Sequence, residues 1–157
     1  MKMWAPASAV ALAASLAGCA DRTATTAAHV LTVPLAASTH NAGEIGRAFL
    51  VARGDETAVV VEVSGVPPML TSRPVHLYTF IYSGRCASLE QPPAYALTAR
   101  VLAESAQSGR ATPLMGPFKV SNTAPLSLDA LRRGRYAVVI RTSPADGGQE
   151  IFCGDVE

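Results

Sequence analysis

The chain has 157 residues, of which 49% are hydrophobic and 16% charged, with a formal net charge of +1. That length suits one domain, and the apolar share excludes a chain that stays disordered for want of a core. Lys2 is the one charge before Cys19, so residues 19–157 hold 13 − 1 = 12 basic against 12 acidic side chains, a balance with no long-range field for nucleic acid or anionic lipid; no nucleic-acid partner is expected.

Met1 to Trp4 carries the single lysine, Ala5 to Leu16 is small and apolar, and Leu16, Ala17, Gly18 and Cys19 follow. This order is that of a secretory signal. An apolar run of about twelve residues is too short to cross the ~30 Å hydrocarbon core as a helix. The tetrapeptide resembles the lipobox of bacterial lipoproteins, where the signal is cut before the cysteine and the thiol takes a diacylglycerol. The resemblance implies a signal peptide over residues 1–18, lipidation at Cys19 and a membrane partner reached through the lipid; an ordinary signal peptide that contains a cysteine is the competing reading. In Gram-negative lipoproteins an aspartate directly after the cysteine favours inner-membrane retention. Here Ala20 holds that place and Asp21 comes one position later, so the resemblance points to the outer membrane, facing the periplasm or the cell surface. Residues 20–28 lack a hydrophobic period and read as a flexible tether. The domain is then residues 29–157.

Within it, Val30 to Ala36 is β-prone. Glu44 to Arg53 forms a second strand with Ile45, Phe49 and Val51 expected on one face. Thr57 to Ser64 alternates, with Val59, Val61 and Val63 on one side and Val60, Glu62 and Ser64 on the other, the pattern of a half-buried strand. Gly54 and Asp55 between the last two predict a hairpin. Pro74 to Tyr82 alternates as well: Val75, Leu77, Thr79 and Ile81 share one face, His76, Tyr78, Phe80 and Tyr82 the other. Tyr95 to Ala103 is taken as a strand, with a short helix as the alternative. Ser105 to Pro117 reads as a loop, Phe118 to Val120 as a short strand and Leu126 to Leu131 as a helical turn. Arg132, Arg133 and Arg135 are read as a solvated turn rather than a binding patch. Tyr136 to Thr142 and Gln149 to Val156 are the last strands, joined through Gly147 and Gly148. Seven or eight short strands without long helical periods predict an all-β Greek-key sandwich or barrel.

If Cys19 carries lipid, Cys86 and Cys153 remain, and an even pair in an exported protein predicts a disulfide; two buried free thiols are the alternative. No Cys-x-x-Cys spacing supports a redox motif or a zinc knuckle.

Two stretches carry a further likeness. One is Gly134, Arg135 and Tyr136 to Thr142, then Gly147, Gly148 and Ile151 to Val156; the other is Val75, His76, Leu77 and Tyr78 followed by Gly84 and Cys86. Together they resemble the copper/zinc superoxide dismutases, with their Gly-Arg-x-Val-Val-Val-His strand, the Gly-Gly segment ending in Cys-Gly, and the His-Val-His strand leading to Gly-Cys. The chordin-type domain is a related reading, echoed by Tyr136, Thr142, Gly147, Gly148 and Gly154. The resemblance implies the same Cys86–Cys153 disulfide and a superoxide-dismutase-like sandwich. It also locates departures. His76 matches the first copper ligand of that family, but Tyr78 stands for the second histidine and Arg141 for the histidine of the penultimate strand. No histidine lies between Cys86 and Arg141. Glu150 replaces the arginine that draws in the anionic substrate. No metal and no other cofactor is therefore expected, and Arg141 is expected to pair with Glu150 across the altered face.

His29, His40 and His76 are the only histidines. There is no zinc-protease His spacing, no hydrolase nucleophile elbow and no phosphate-cradling glycine loop, so no catalytic residue is assigned. Asp129, Asp146 and Asp155 suit turn and surface positions. The candidate binding surface is the face of His76, Tyr78, Phe80 and Tyr82 together with Arg141; cover by loops is the competing reading. The expectation is a non-catalytic, lipid-anchored lipoprotein of the cell envelope, with a protein or small molecule as its unnamed partner. The alternative is a copper-binding or dismutase-type enzyme with non-standard ligands.

Overall fold

The computed structural model describes residues 29–105 and 115–157. The signal segment, Cys19, the tether and most of the expected Ser105–Pro117 loop lie outside the described residues.

The chain enters as β1 (Val30–Ala37), then forms a meander with β2 (Gly46–Arg53) and β3 (Glu56–Gly65). It crosses to β4 (Tyr78–Arg85), makes the short strands β5 (Ser88–Leu89), β6 (Tyr95–Leu97) and β7 (Glu104–Ser105), and returns as β8 (Met115–Ala124) beside β3. The short helix α1 (Leu128–Arg133) leads to β9 (Tyr136–Arg141), which pairs with β4, and β10 (Glu150–Val156) closes the chain beside β9. The neighbours β3–β8 and β4–β9 are crossovers, as in Greek-key sandwiches.

All pairings are antiparallel, and the ten strands run in the order β5-β4-β9-β10-β1-β2-β3-β8-β7, with β6 also on β4. One strand makes the path continuous. Val30 to Leu35 of β1 pair with β2, and Ala36 and Ala37 pair with β10. The barrel form of the expectation is not reached. At the far side, among the described residues, the layers meet through a His76–Leu102 bridge, through backbone bonds from Leu77 to Val101 and from Ala103 to Val75, and through the Asn122 side chain on the Arg100 backbone.

Between the two layers lies one core. Val33 and Leu35 of β1, Leu50 of β2, Val59, Val61 and Val63 of β3 and Val120 of β8 meet Ile81, Val138, Ile140, Ile151 and Phe152 from the other side. The alternation read in Thr57 to Ser64 is found: Val59, Val61 and Val63 are buried while Glu62 and Ser64 are exposed. Thr57 and Ala58 add a buried start to the strand.

Ile45, Phe49 and Val51 do share one face of this segment, and it is the outer one. Gly46, Ala48 and Leu50 point inward, while Ile45 is 65% exposed and Phe49 and Val51 lie on the outer side. A Cβ on Gly46 would come within 2.9 Å of the Phe152 ring and of Leu35. The small residues thus mark the side pressed against β10, and an apolar count overlooks them. Tyr95 to Ala103 is a strand only over three residues. The expected strand at Phe118 to Val120 is the middle of the ten-residue β8.

The expected turn of helix is α1. The Ser127 hydroxyl accepts from the Ala130 N–H at 3.2 Å, and Leu128 and Leu131 fill the core. Arg132, Arg133 and Arg135 are exposed, as a solvated turn requires.

Candidate functional site

Cross-strand register places the candidate residues. Tyr78 pairs with Arg141, Phe80 with Val139 and Tyr82 with Ala137. Side chains alternate along a strand, so these six share the outer face of the β4–β9–β10 layer. On β10 the same row continues through Glu150, Cys153 and Asp155, the partners of Arg141, Val139 and Ala137.

Half of that face is covered. Cys86 and Cys153 form a disulfide with Cα atoms 5.9 Å apart. It draws the turn after β4 back over the layer, where Tyr82, Ala137, Val139 and Cys153 make a second, smaller core with Phe80, Cys86 and Leu89 beside it. Asp155 fixes the same turn by accepting the Cys86 N–H at 2.7 Å. Arg85 adds ion pairs to Glu157 at 2.9 Å and to Asp155 at 3.5 Å, and the Glu157 carboxylate, followed by Asp155, raises the guanidinium's pKa. Tyr82 is only 3% exposed. Its assignment to the binding surface is therefore corrected: the disulfide-held turn buries it.

The other half stays open as a groove of about 400 Å³. Tyr78, Phe80 and Arg141 line it from the strands; Thr142, Pro144 and the Gly147–Gly148 turn line it from the β9–β10 loop. The Arg141 guanidinium lies 5.6 Å from the centre of the Tyr82 ring, within reach of a cation–π attraction. Its Nε is buried and has no hydrogen-bond partner among the described residues. The expected Arg141–Glu150 ion pair is not formed. The two are register partners, yet the ion pairs among the described residues are those of Arg85 and the Lys119–Glu62 pair. The reason is that Arg141 runs along the face toward Tyr82 instead of across to β10.

His76 does not line the groove. It precedes β4 at the bridge to Leu102 and is half-buried. His29 and His40 are exposed.

The loop wall is a fixed structure. Ser143 accepts the Asp146 N–H at 3.1 Å and donates its hydroxyl to Asp146 Oδ2 at 2.7 Å. Asp146 Oδ1 accepts the Ser72 N–H at 3.0 Å, tying the loop to the segment before β4. Hydrogen bonds from Ser143, then Ser72, hold the Asp146 carboxyl below the usual carboxylate range, against a smaller desolvation effect. Thr142 receives the Gln149 N–H on its hydroxyl at 2.9 Å. Sequence reasoning placed Asp146 at a turn and assigned none of these residues to the site. The Ser143–Asp146 spacing, a local capping pattern, was the available signal, whereas nothing local points to Ser72.

Among the described residues no three or more His, Cys, Asp or Glu side chains stand close enough together to hold a metal ion. The residues on the open face do not fit the imidazole set that the resemblance implies for copper. A guanidinium has no lone pair to give a metal and repels a cation, and Tyr78 beside it in register is a single phenol.

No protein-family model matches the chain, and neither a curated protein nor a solved structure matches it significantly. Among the described residues no helix is long and apolar enough to cross a membrane.

Proposed function

We propose that the chain is a lipid-anchored lipoprotein of the cell envelope whose domain is a non-catalytic binding module, using the groove between β4 and the β9–β10 loop. The carrying observation is the register of Tyr78 against Arg141. It sets a phenol and a guanidinium side by side where a superoxide-dismutase-like site would need imidazoles. Lys2 with the apolar run after it, the small residues before Cys19 and a disulfide that suits an oxidising compartment support the envelope assignment. On this reading the dismutase-like scaffold is kept and its redox centre is not.

The test is expression of the full chain in a bacterium fed labelled palmitate, with Cys19→Ser as control, followed by copper loading and metal analysis of the purified protein. The expected result is label on the chain, lost in Cys19→Ser, and copper well below one equivalent. Stoichiometric copper with superoxide removal overturns the non-catalytic reading, and label retained by Cys19→Ser overturns the anchor.

A further inference from the structure

We infer that the groove selects a small organic carboxylate, its planar apolar body against Tyr78 and Phe80 and its charge on Arg141. This rests on the binding reading above and narrows it to a ligand class.

Charge comes first. Among the described residues Arg141 has no acidic side chain within ion-pair distance, and its buried Nε has no acceptor. The guanidinium fork matches a carboxylate with two parallel hydrogen bonds, and the Tyr82 ring holds the fork from one side.

The wall offers little competition for the anion. Its amides are used internally: Asp146 N–H to Ser143, Gly147 N–H to Pro144 and Gly148 N–H to Ser143. Arg141 is thus the cationic partner in the groove. Its register partner Glu150 does not line the groove, but its negative charge lies on the same face and opposes an anion there.

Shape comes second. The volume of about 400 Å³ falls within the roughly 300–1,000 Å³ of small-molecule sites. Two aromatic side chains at alternate positions of β4 give a flat apolar side. A bare inorganic anion would leave that surface wet, so the body matters as well as the charge.

The test titrates the full chain with benzoate, benzamide and inorganic phosphate, following the amide signals of Tyr78, Phe80 and Arg141 by NMR. Benzoate is expected to bind about tenfold more tightly than benzamide, with phosphate weaker still. Arg141→Gln should abolish the difference between benzoate and benzamide. Arg141→Lys, which keeps the charge, should preserve the preference at reduced affinity and guards against a folding defect. Glu150→Gln should tighten benzoate by about threefold. Equal binding of benzoate and benzamide to the unaltered chain overturns the carboxylate class and leaves groove binding standing. Silence of the groove amides with all three probes also overturns the inference; the palmitate and copper measurements judge the wider reading separately.

Discussion

Asp146 joins two parts of the chain that are far apart in sequence, since its carboxylate meets Ser143 on one side and the Ser72 backbone on the other. Because its folded pKa is lowered, its contribution to stability is present above the unfolded carboxylate value and is lost as the pH falls through the lowered one. Asp146→Asn is therefore expected to lower the melting temperature near neutral pH. The gap between the two proteins should close on acidification to below the folded pKa; thermal melts over a pH series check this. At this scale the sequence is informative when partners are close. Ser143 and Asp146 are three residues apart and form a recognisable cap. Tyr82 illustrates the opposite case: alternation along Pro74 to Tyr82 gave its face correctly, but its burial depends on a turn held by Asp155 from the far end of the chain.

At the scale of elements, β9 is buried on both sides over Ala137 to Ile140, which explains why it reads as an unbroken apolar run. Val138 and Ile140 face the main core, and Ala137 and Val139 lie beneath the disulfide-held turn. The Cys86–Cys153 link spans 67 residues, so the chain-entropy model gives it a stabilisation of about 4 kcal/mol. Cys86→Ser with Cys153→Ser is expected to lower unfolding stability by that order in denaturant titrations. It should also expose the Tyr82 ring, which shifts its NMR signals. Strand existence was legible from period and β-branched content, most clearly in β3 and β9. The facing of β2 was not, because Gly46 and Ala48 declare the inner side by their smallness rather than by hydropathy. The pairing of β8 with β3 was also beyond reach, since its partners lie from 50 (Gly65 and Met115) to 67 (Thr57 and Ala124) residues apart.

For the molecule as a whole, the all-β class followed from many short alternating runs, but the order of strands did not. The open aromatic–arginine groove arises from that order. Only when β4 lies beside β9 do Tyr78 and Arg141 become neighbours, and only the β9–β10 loop completes the wall. Sequence reasoning named three of the strand residues that line the groove and could not foresee that the same face would be divided into a covered and an open half.

Because β1 hydrogen-bonds to β2 along most of its length and to β10 at its end, neither layer can come apart while the other keeps this strand in register. Detachment of β1 would leave two raw edges at once. A half-unfolded form that keeps one layer intact is consequently not expected to accumulate. The backbone protons of Val33, Leu35 and Ala36 should trade for deuterium at the rate set by complete unfolding, in step with those of Val59 and Val138; faster exchange confined to β1 would contradict this.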